Sequence, residues 1–74
     1  MNIDQLQIKI GERIRFLREQ KGISQQNMAA ICNFEKANLS RIEAGRTNPT
    51  ISTLYKISQA LETTISDLVD VEKQ

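Results

Sequence analysis

The apolar residues of this chain recur at three- and four-residue intervals, which is the spacing of an α-helix that buries one face. The interval holds in five segments separated by turn-forming residues, and no segment alternates with the two-residue period of a strand. In the first segment, Asn2 can cap a helix that ends at Gly22. Gly11 lies within this helix at a cost of about 1 kcal/mol relative to alanine, so a close approach by another helix is expected there. The apolar stripe of this helix consists of Ile3, Leu6, Ile10, Ile14 and Leu17.

Two short helices joined by a tight turn are expected in the middle of the chain. Ser24 can cap the first of them, because its hydroxyl can accept a bond from an otherwise unpaired backbone N–H. Asn33 tolerates left-handed backbone geometry and should end that helix. The next helix runs from about Lys36 to Ala44, and Gly45 stops it. The apolar positions of this region are Met28, Ala29, Ile31, Cys32, Phe34, Leu39 and Ile42.

Two further helices are expected after Pro49. Thr50 can cap the fourth helix, and Thr64 with Asp67 has the spacing of a capping box that opens the fifth. Their apolar positions are Ile51, Leu54, Ile57, Ala60 and Leu61 in the fourth helix and Ile65, Leu68 and Val69 in the fifth. The pattern therefore predicts helices over residues 3–21, 25–32, 36–44, 51–61 and 65–70, in one all-α domain of residues 1–74.

Composition narrows the classes of function. With 74 residues, of which 39% are hydrophobic, the chain has room for one small core. No apolar run approaches a membrane-spanning length and no secretion signal opens the chain, so a cytoplasmic protein is expected. Cys32 is the single cysteine and there is no histidine, so we expect a buried thiol, no metal and no cofactor. The carboxylates do not cluster with a nucleophile, which favours a binding protein over an enzyme.

The charge is divided unevenly along the chain. The formal net charge is +1, but residues 1–60 hold nine Lys and Arg against five Asp and Glu, whereas residues 61–74 hold one Lys against four acids. The body is therefore basic and the C-terminal segment is acidic. A surplus of this size usually reflects a solvated surface, and on that interpretation Arg13 and most other charges of the first helix face solvent.

The motif at the centre of the chain resembles a known family. The residues that carry the resemblance are Gly22, Ile23, Ser24, Gln25, Met28, Ala29, Leu39, Ser40, Arg41, Ile42, Glu43, Gly45, Arg46, Asn48, Pro49, Leu54, Ile57, Ala60, Leu61, Ile65, Asp67 and Leu68. They identify the sequence as a member of the XRE family, the Cro and phage-repressor type of helix-turn-helix, over roughly residues 10–68. Small chains of this type resemble restriction-modification controller proteins and prophage repressors. Two positions depart from the family pattern: Glu35 replaces the usual Ser or Thr cap, and Asn33 replaces the usual turn glycine.

The resemblance implies a five-helix lambda-repressor-like DNA-binding domain. The third helix, residues 36–44, would enter the major groove of double-stranded DNA while the second lies across the backbone. By position in the motif, the residues that face the bases are Lys36, Ala37, Asn38 and Arg41. The expected phosphate contacts are Gln25, Ser40, Arg46 and Asn48. An ion pair between Arg18 and Glu43 is also implied, tying the first helix to the end of the third.

Other interpretations remain open at this point. Lys36 and Arg41 suit guanine, Asn38 suits adenine and Ala37 suits a thymine methyl. The alternative is that both cations are solvated charges and that Gln25 is a helix-start residue. The whole chain could instead be an antitoxin-like module that binds a partner protein. Salt-sensitive binding to random duplex separates these classes.

A homodimer on a near-palindromic operator is expected, because one such domain reads only a few base pairs. The expected surface lies on the fourth and fifth helices. Leu68 alone suffices to anchor the last helix on the core, so further apolar groups beside it would be exposed. The candidates for the dimer interface are Ile65, Val69 and Val71.

Overall fold

The computed structural model describes residues 1–72, and within that range it contains five α-helices and no strand. The helices are α1 (Ile3–Gln20), α2 (Gln25–Cys32), α3 (Lys36–Glu43), α4 (Ile51–Ala60) and α5 (Ile65–Leu68). The predicted all-α fold is confirmed, and the predicted helices differ from the observed ones only by one or two residues at their C-terminal ends. Among residues 1–72, none of these helices combines the length and the hydrophobicity that a membrane span requires.

Local capping chemistry explains where most helices begin and end. The side chains of Asn2, Ser24, Thr50 and Thr64 each accept a hydrogen bond from the backbone N–H three residues later. This satisfies a donor that the helix itself leaves unpaired. Glu35 precedes α3 without a side-chain cap, as the departure from the family pattern suggests. Asn33 ends α2 with φ of 60°, and Gly45 follows α3 with φ of +74°, so both supply the left-handed turn that stops a helix.

Each helix contributes a fully buried apolar side chain to the core. These residues are Ile14, Met28, Leu39, Ile57 and Leu68. Phe34 packs against this cluster from the turn between α2 and α3, as predicted. Cys32 is also buried, and burial raises the pKa of its thiol. It is therefore a small apolar side chain of the core, as the sequence indicated.

Three isoleucines of the predicted stripes are exposed. Ile3, Ile31 and Ile51 expose 60%, 62% and 76% of their surface. Ile3 and Ile51 are the first residues of α1 and α4. Helical spacing identifies the face on which a residue lies but does not say how far along that face the core extends. A place on an apolar stripe therefore does not make these three residues part of the core.

The fifth helix is tied to the first by a contact that the sequence did not indicate. Arg13 donates to the Asp67 carbonyl at 3.0 Å and to its carboxylate at 2.6 Å, and the Thr63 hydroxyl donates to the same carboxylate at 2.8 Å. The Thr63 hydroxyl and then Arg13 hold the pKa of the Asp67 carboxyl below its ordinary value. The expectation that Arg13 faces solvent is wrong, because α5 lies within its reach.

Val71 also differs from its prediction. It is only 4% exposed, so the segment after α5 turns back onto the molecule and takes Val71 out of solvent. Val69 is half-buried and packs against the core, and Ile65 is half-buried as well. Val71 is therefore not available for a dimer interface, and the apolar surface that α5 offers is smaller than expected.

Gly11 allows α1 to cross the end of α3 at close range. A Cβ atom at this position would lie 2.4 Å from the Ile42 carbonyl oxygen and 2.6 Å from that of Glu43. Both distances are far below van der Waals contact, and both obstacles are backbone atoms, which cannot rotate away. The close approach expected from the sequence is confirmed, and it fixes the position of the C-terminal end of α3 relative to α1.

Gly11→Ala should therefore destabilise the protein, although alanine favours a helix by about 1 kcal/mol. Overpacking costs about 1–3 kcal/mol, and the upper part of that range is expected because backbone must move. Urea denaturation measures the change, with Glu12→Ala as the control at the exposed neighbouring position. A Gly11→Ala protein as stable as wild type would contradict the close packing.

Candidate nucleic-acid interface

The α3 helix buries one face and leaves the other open. Leu39, Ile42 and Glu43 are its buried residues, whereas the four predicted base contacts are all exposed. Leu39 and Ile42 are three residues apart, so they hold one face against the core, and the intervening positions turn outward. The exposed set on this helix is Lys36, Ala37, Asn38, Ser40 and Arg41.

Positive charge without an acidic partner collects on α3 and just after it. Within residues 1–72, the basic partners in the ion pairs all lie in α1 or at its C-cap. They are Arg13, Arg15, Arg18 and Lys21. Lys36, Arg41 and Arg46 pair with no acid in that range, and all three are exposed. The cations of α3 and of the following turn are therefore free to attract an anionic partner.

The one acid of α3 is buried and neutralised. Glu43 accepts hydrogen bonds from Arg18 Nε at 2.7 Å and from a terminal Arg18 nitrogen at 3.0 Å. The Glu43 side chain is only 3% exposed and that of Arg18 only 9%. The other terminal nitrogen of Arg18 donates to the Ile23 carbonyl at 2.7 Å. The hydrogen bond between Arg18 and Glu43 raises the pKa of the Arg18 guanidinium. The ion pair implied by the resemblance thus joins α1, the turn before α2 and the end of α3.

Gln25 belongs to the same network. Its Nε2 donates to Glu43 Oε1 at 2.9 Å, and the side chain is half-buried. This contact joins the start of α2 to the end of α3. Sequence reasoning assigned Gln25 to a phosphate and missed its bond to Glu43, because residues 18 positions apart give no periodic signal. One of the two amide N–H groups is engaged, and the other remains available for an acceptor outside the protein.

Two grooves bring most of the predicted contact residues together. One is lined by Arg15, Arg18, Ser24, Gln25, Gln26 and Lys36, so a predicted phosphate contact and a predicted base contact share it. The other, of about 230 Å³, runs between α3 and the following loop and includes Asn38, Arg41 and Asn48. Ala37, Ser40 and Arg46 line neither groove, although all three are exposed.

Two backbone hydrogen bonds connect the loop after α3 to the end of the helix. The Arg46 N–H donates to the Arg41 carbonyl at 3.0 Å, and the Gly45 N–H to the Ile42 carbonyl at 3.1 Å. These bonds satisfy carbonyls that the helix leaves open at its end. They also hold the Arg46 backbone beside the last turn of α3, so its exposed side chain starts from a fixed position.

Arg18→Met should destabilise the protein by about 3 kcal/mol, because it leaves a buried carboxylate without its cation. Urea denaturation of the variant and the wild type measures the loss.

The double variant Arg18→Met with Glu43→Leu is the control, since removing both charges should recover most of the loss. A loss below about 1 kcal/mol in the single variant, as at an exposed pair, would contradict the buried role of the ion pair.

Known proteins are similar to this chain in sequence and in fold. Residues 14–68 match the profile of the helix-turn-helix family HTH_3. The control protein C.MunI from a Mycoplasma species is 34% identical over 74 residues, which covers 97% of this chain and all of that protein. The chain spans less than half the length of several longer regulators that it also matches.

Solved structures agree with the sequence match. The restriction-modification controller protein C.AhdI from Aeromonas hydrophila superposes with a TM-score of 0.81 at 30% identity, covering 82% of this chain and 92% of that one. The biofilm master regulator SinR, solved in complex with DNA, superposes with a TM-score of 0.77 at 39% identity, covering 82% of this chain and 98% of that one. The chain therefore belongs to the helix-turn-helix family of transcriptional regulators, of the XRE type.

Proposed function

We propose that this protein is a transcriptional regulator of the repressor or controller class that binds double-stranded DNA in a sequence-specific manner. The observation that carries the proposal is the exposed face of α3, which presents Lys36 and Arg41 without acidic partners while Glu43 is buried with Arg18. The major groove admits a helix and shows a different pattern of donors and acceptors for each base pair. The protein would act where bacterial or phage DNA lies, in the cytoplasm.

The contacts divide into two groups. Lys36, Ala37, Asn38 and Arg41 would face the bases, where a guanidinium suits guanine O6 and N7. Gln25, Ser40, Arg46 and Asn48 would contact phosphates, because they flank that face at the start of α2, on the side of α3 and in the loop after it. Phosphate contacts fix the register of the protein on the duplex, whereas base contacts select the sequence. SinR supports DNA binding by this fold, since a chain that superposes on this one has been solved in complex with DNA.

Arg41→Ala and Arg46→Ala should separate these two groups. Losing a bidentate contact to guanine should reduce discrimination at one base pair of the site by about 1–3 kcal/mol. Losing a phosphate contact should weaken binding to the specific and the scrambled duplex by similar factors. It should also reduce the slope of log affinity against log salt concentration by about one unit. Titrations of a selected duplex and a scrambled one at several salt concentrations measure both effects.

Lys9→Ala is the control for these titrations, since this residue of α1 lies outside the motif and pairs with no acid within residues 1–72. An unchanged ratio of specific to scrambled affinity in Arg41→Ala would show that Arg41 does not read a base. Equal wild-type affinity for both duplexes, without salt dependence, would contradict the proposed function and favour a protein-interaction module.

The DNA-bound form would be a homodimer on a near-palindromic operator. A single domain of this size buries about 600–1,000 Å² against DNA, and two-fold dimers double the site by reading two half-sites. The exposed apolar residues of α2 and α4 offer a surface for it. Ile51 and Tyr55 lie one turn apart on α4, and Ile31 lines a shallow groove together with Tyr55. We call Ile31, Ile51 and Tyr55 the α2–α4 surface.

The α2–α4 surface supports a dimer better than α5 does. Its three residues are each more than half exposed, whereas Ile65 and Val69 are half-buried. Exposed apolar side chains grouped on one surface favour association, because burying them against a second copy removes apolar area from water. The proposed interface therefore centres on the α2–α4 surface, with Ile65 and Val69 at α5 as the competing location.

Three isoleucines at equivalent positions provide a matched test of the dimer. Ile3, Ile51 and Ile65 are each the first residue of a helix and each follows a polar cap, so glutamate is favourable to the helix at all three positions. We expect Ile51→Glu to give monomers whose affinity for the full operator falls far more than that for a half-site. Ile3→Glu should leave both association and binding unchanged.

Sedimentation equilibrium of the three variants and the wild type measures the association. If Ile65→Glu gave monomers and Ile51→Glu did not, the interface would lie at α5 and not at the α2–α4 surface. A wild-type chain that stays monomeric at high micromolar concentration without DNA would contradict a preformed dimer.

A further inference from the structure

Two predicted base contacts of α3 are bonded to each other. Asn38 and Arg41 lie three residues apart, which places them on neighbouring turns of one helix face. A terminal nitrogen of Arg41 donates to Asn38 Oδ1, and both side chains are exposed. The pair also borders the groove between α3 and the following loop, where Thr47 and Asn48 form the opposite side. Arg41 is therefore held on one flank by Asn38 while the loop limits its path on the other.

This bond competes with adenine reading by Asn38. An asparagine recognises adenine by accepting from N6 through its oxygen and donating to N7 through its nitrogen. Arg41 already takes one of the two lone pairs of the Asn38 oxygen and orients that amide, so an adenine could be read only in the orientation that Arg41 leaves. Arg41 loses much less, because a guanidinium has five N–H donors and guanine O6 and N7 need two of them.

We propose that Asn38 is a positioning residue that holds Arg41 for a guanine and specifies no adenine of its own. The proposal rests on the proposed role of α3 in reading DNA. A free arginine loses rotational freedom about several bonds when it binds, whereas an arginine already held by a neighbour has less freedom to lose. The two side chains then act as one reading unit, so each half-site should show a guanine opposite Arg41 and no separate adenine preference from Asn38.

A double-mutant cycle tests this coupling. The proteins are wild type, Asn38→Ala, Arg41→Ala and the double variant, each titrated with the selected duplex and with duplexes changed at each base pair of one half-site. We expect Asn38→Ala to lower the guanine preference at the Arg41 base pair by about 2- to 10-fold, the range for ordering one long side chain. In the Arg41→Ala background the same change should have no effect on sequence preference.

Lys36→Ala supplies the matched control. Lys36 is a second exposed cation on the same helix, and no bond links its side chain to Asn38 or Arg41. Combined with Arg41→Ala, its effects should add, as they do for residues without a shared partner. An Asn38→Ala protein that loses an adenine preference at a different base pair, with effects that add to those of Arg41→Ala, would overturn the proposal while leaving the DNA-reading role of α3 intact. Equal wild-type affinity for all duplexes would overturn both.

The free protein gives a second measurement that does not depend on DNA. In ¹⁵N-labelled protein, the side-chain N–H signals of Arg41 should show slower rotation of the guanidinium in wild type than in Asn38→Ala. The Arg46 signals should be the same in both proteins, because this side chain does not contact Asn38. Identical Arg41 signals in the two proteins would overturn the proposed contact.

Discussion

The buried ion pair between Arg18 and Glu43 is the interaction on which the functional face depends. It lies where three parts of the chain meet, because Arg18 also binds the Ile23 carbonyl and Gln25 also binds Glu43. Beside it, Gly11 lets the backbone of Ile42 and Glu43 approach α1 directly. Charge pairing and close packing therefore act on the same end of α3, and they determine the direction in which the rest of that helix points.

This arrangement also separates charges by location. Burying Glu43 with Arg18 takes the acid of α3 out of contact with solvent, while Lys36, Arg41 and Arg46 stay exposed and unpaired within the described residues. The net charge of +1 therefore conceals a basic face. An anionic duplex approaching this face meets the positive groups of α3, with Glu35, the residue before the helix, as an exposed carboxylate at its N-terminal end. A stabilising contact of the fold thus also produces the electrostatics proposed for DNA binding.

The sequence predicted what depends on local chemistry. Ser24, Thr50 and Thr64 cap their helices, Asn33 adopts the left-handed turn and Gly11 marks the close approach, because each effect arises from a residue type at one position. Periodicity does not show where the core stops, so it cannot tell that Ile51 is exposed and Val71 is buried. The Arg13 bond to Asp67, across 54 positions, depends on how α5 docks, which no local pattern encodes. The Asn38 bond to Arg41 follows helical spacing, but the base preferences expected from side-chain chemistry treat the two residues separately.

Protection of guanine N7 from methylation tests the central claim most directly, because N7 lies in the major groove and is the atom that an arginine of α3 would cover. The protein would be bound to a duplex selected from random DNA and then exposed to dimethyl sulfate. The account predicts protected guanines on the major-groove side of each half-site in wild type, and loss of that protection at one position in Arg41→Ala. Tight binding that leaves every guanine N7 as reactive as in free DNA would contradict it.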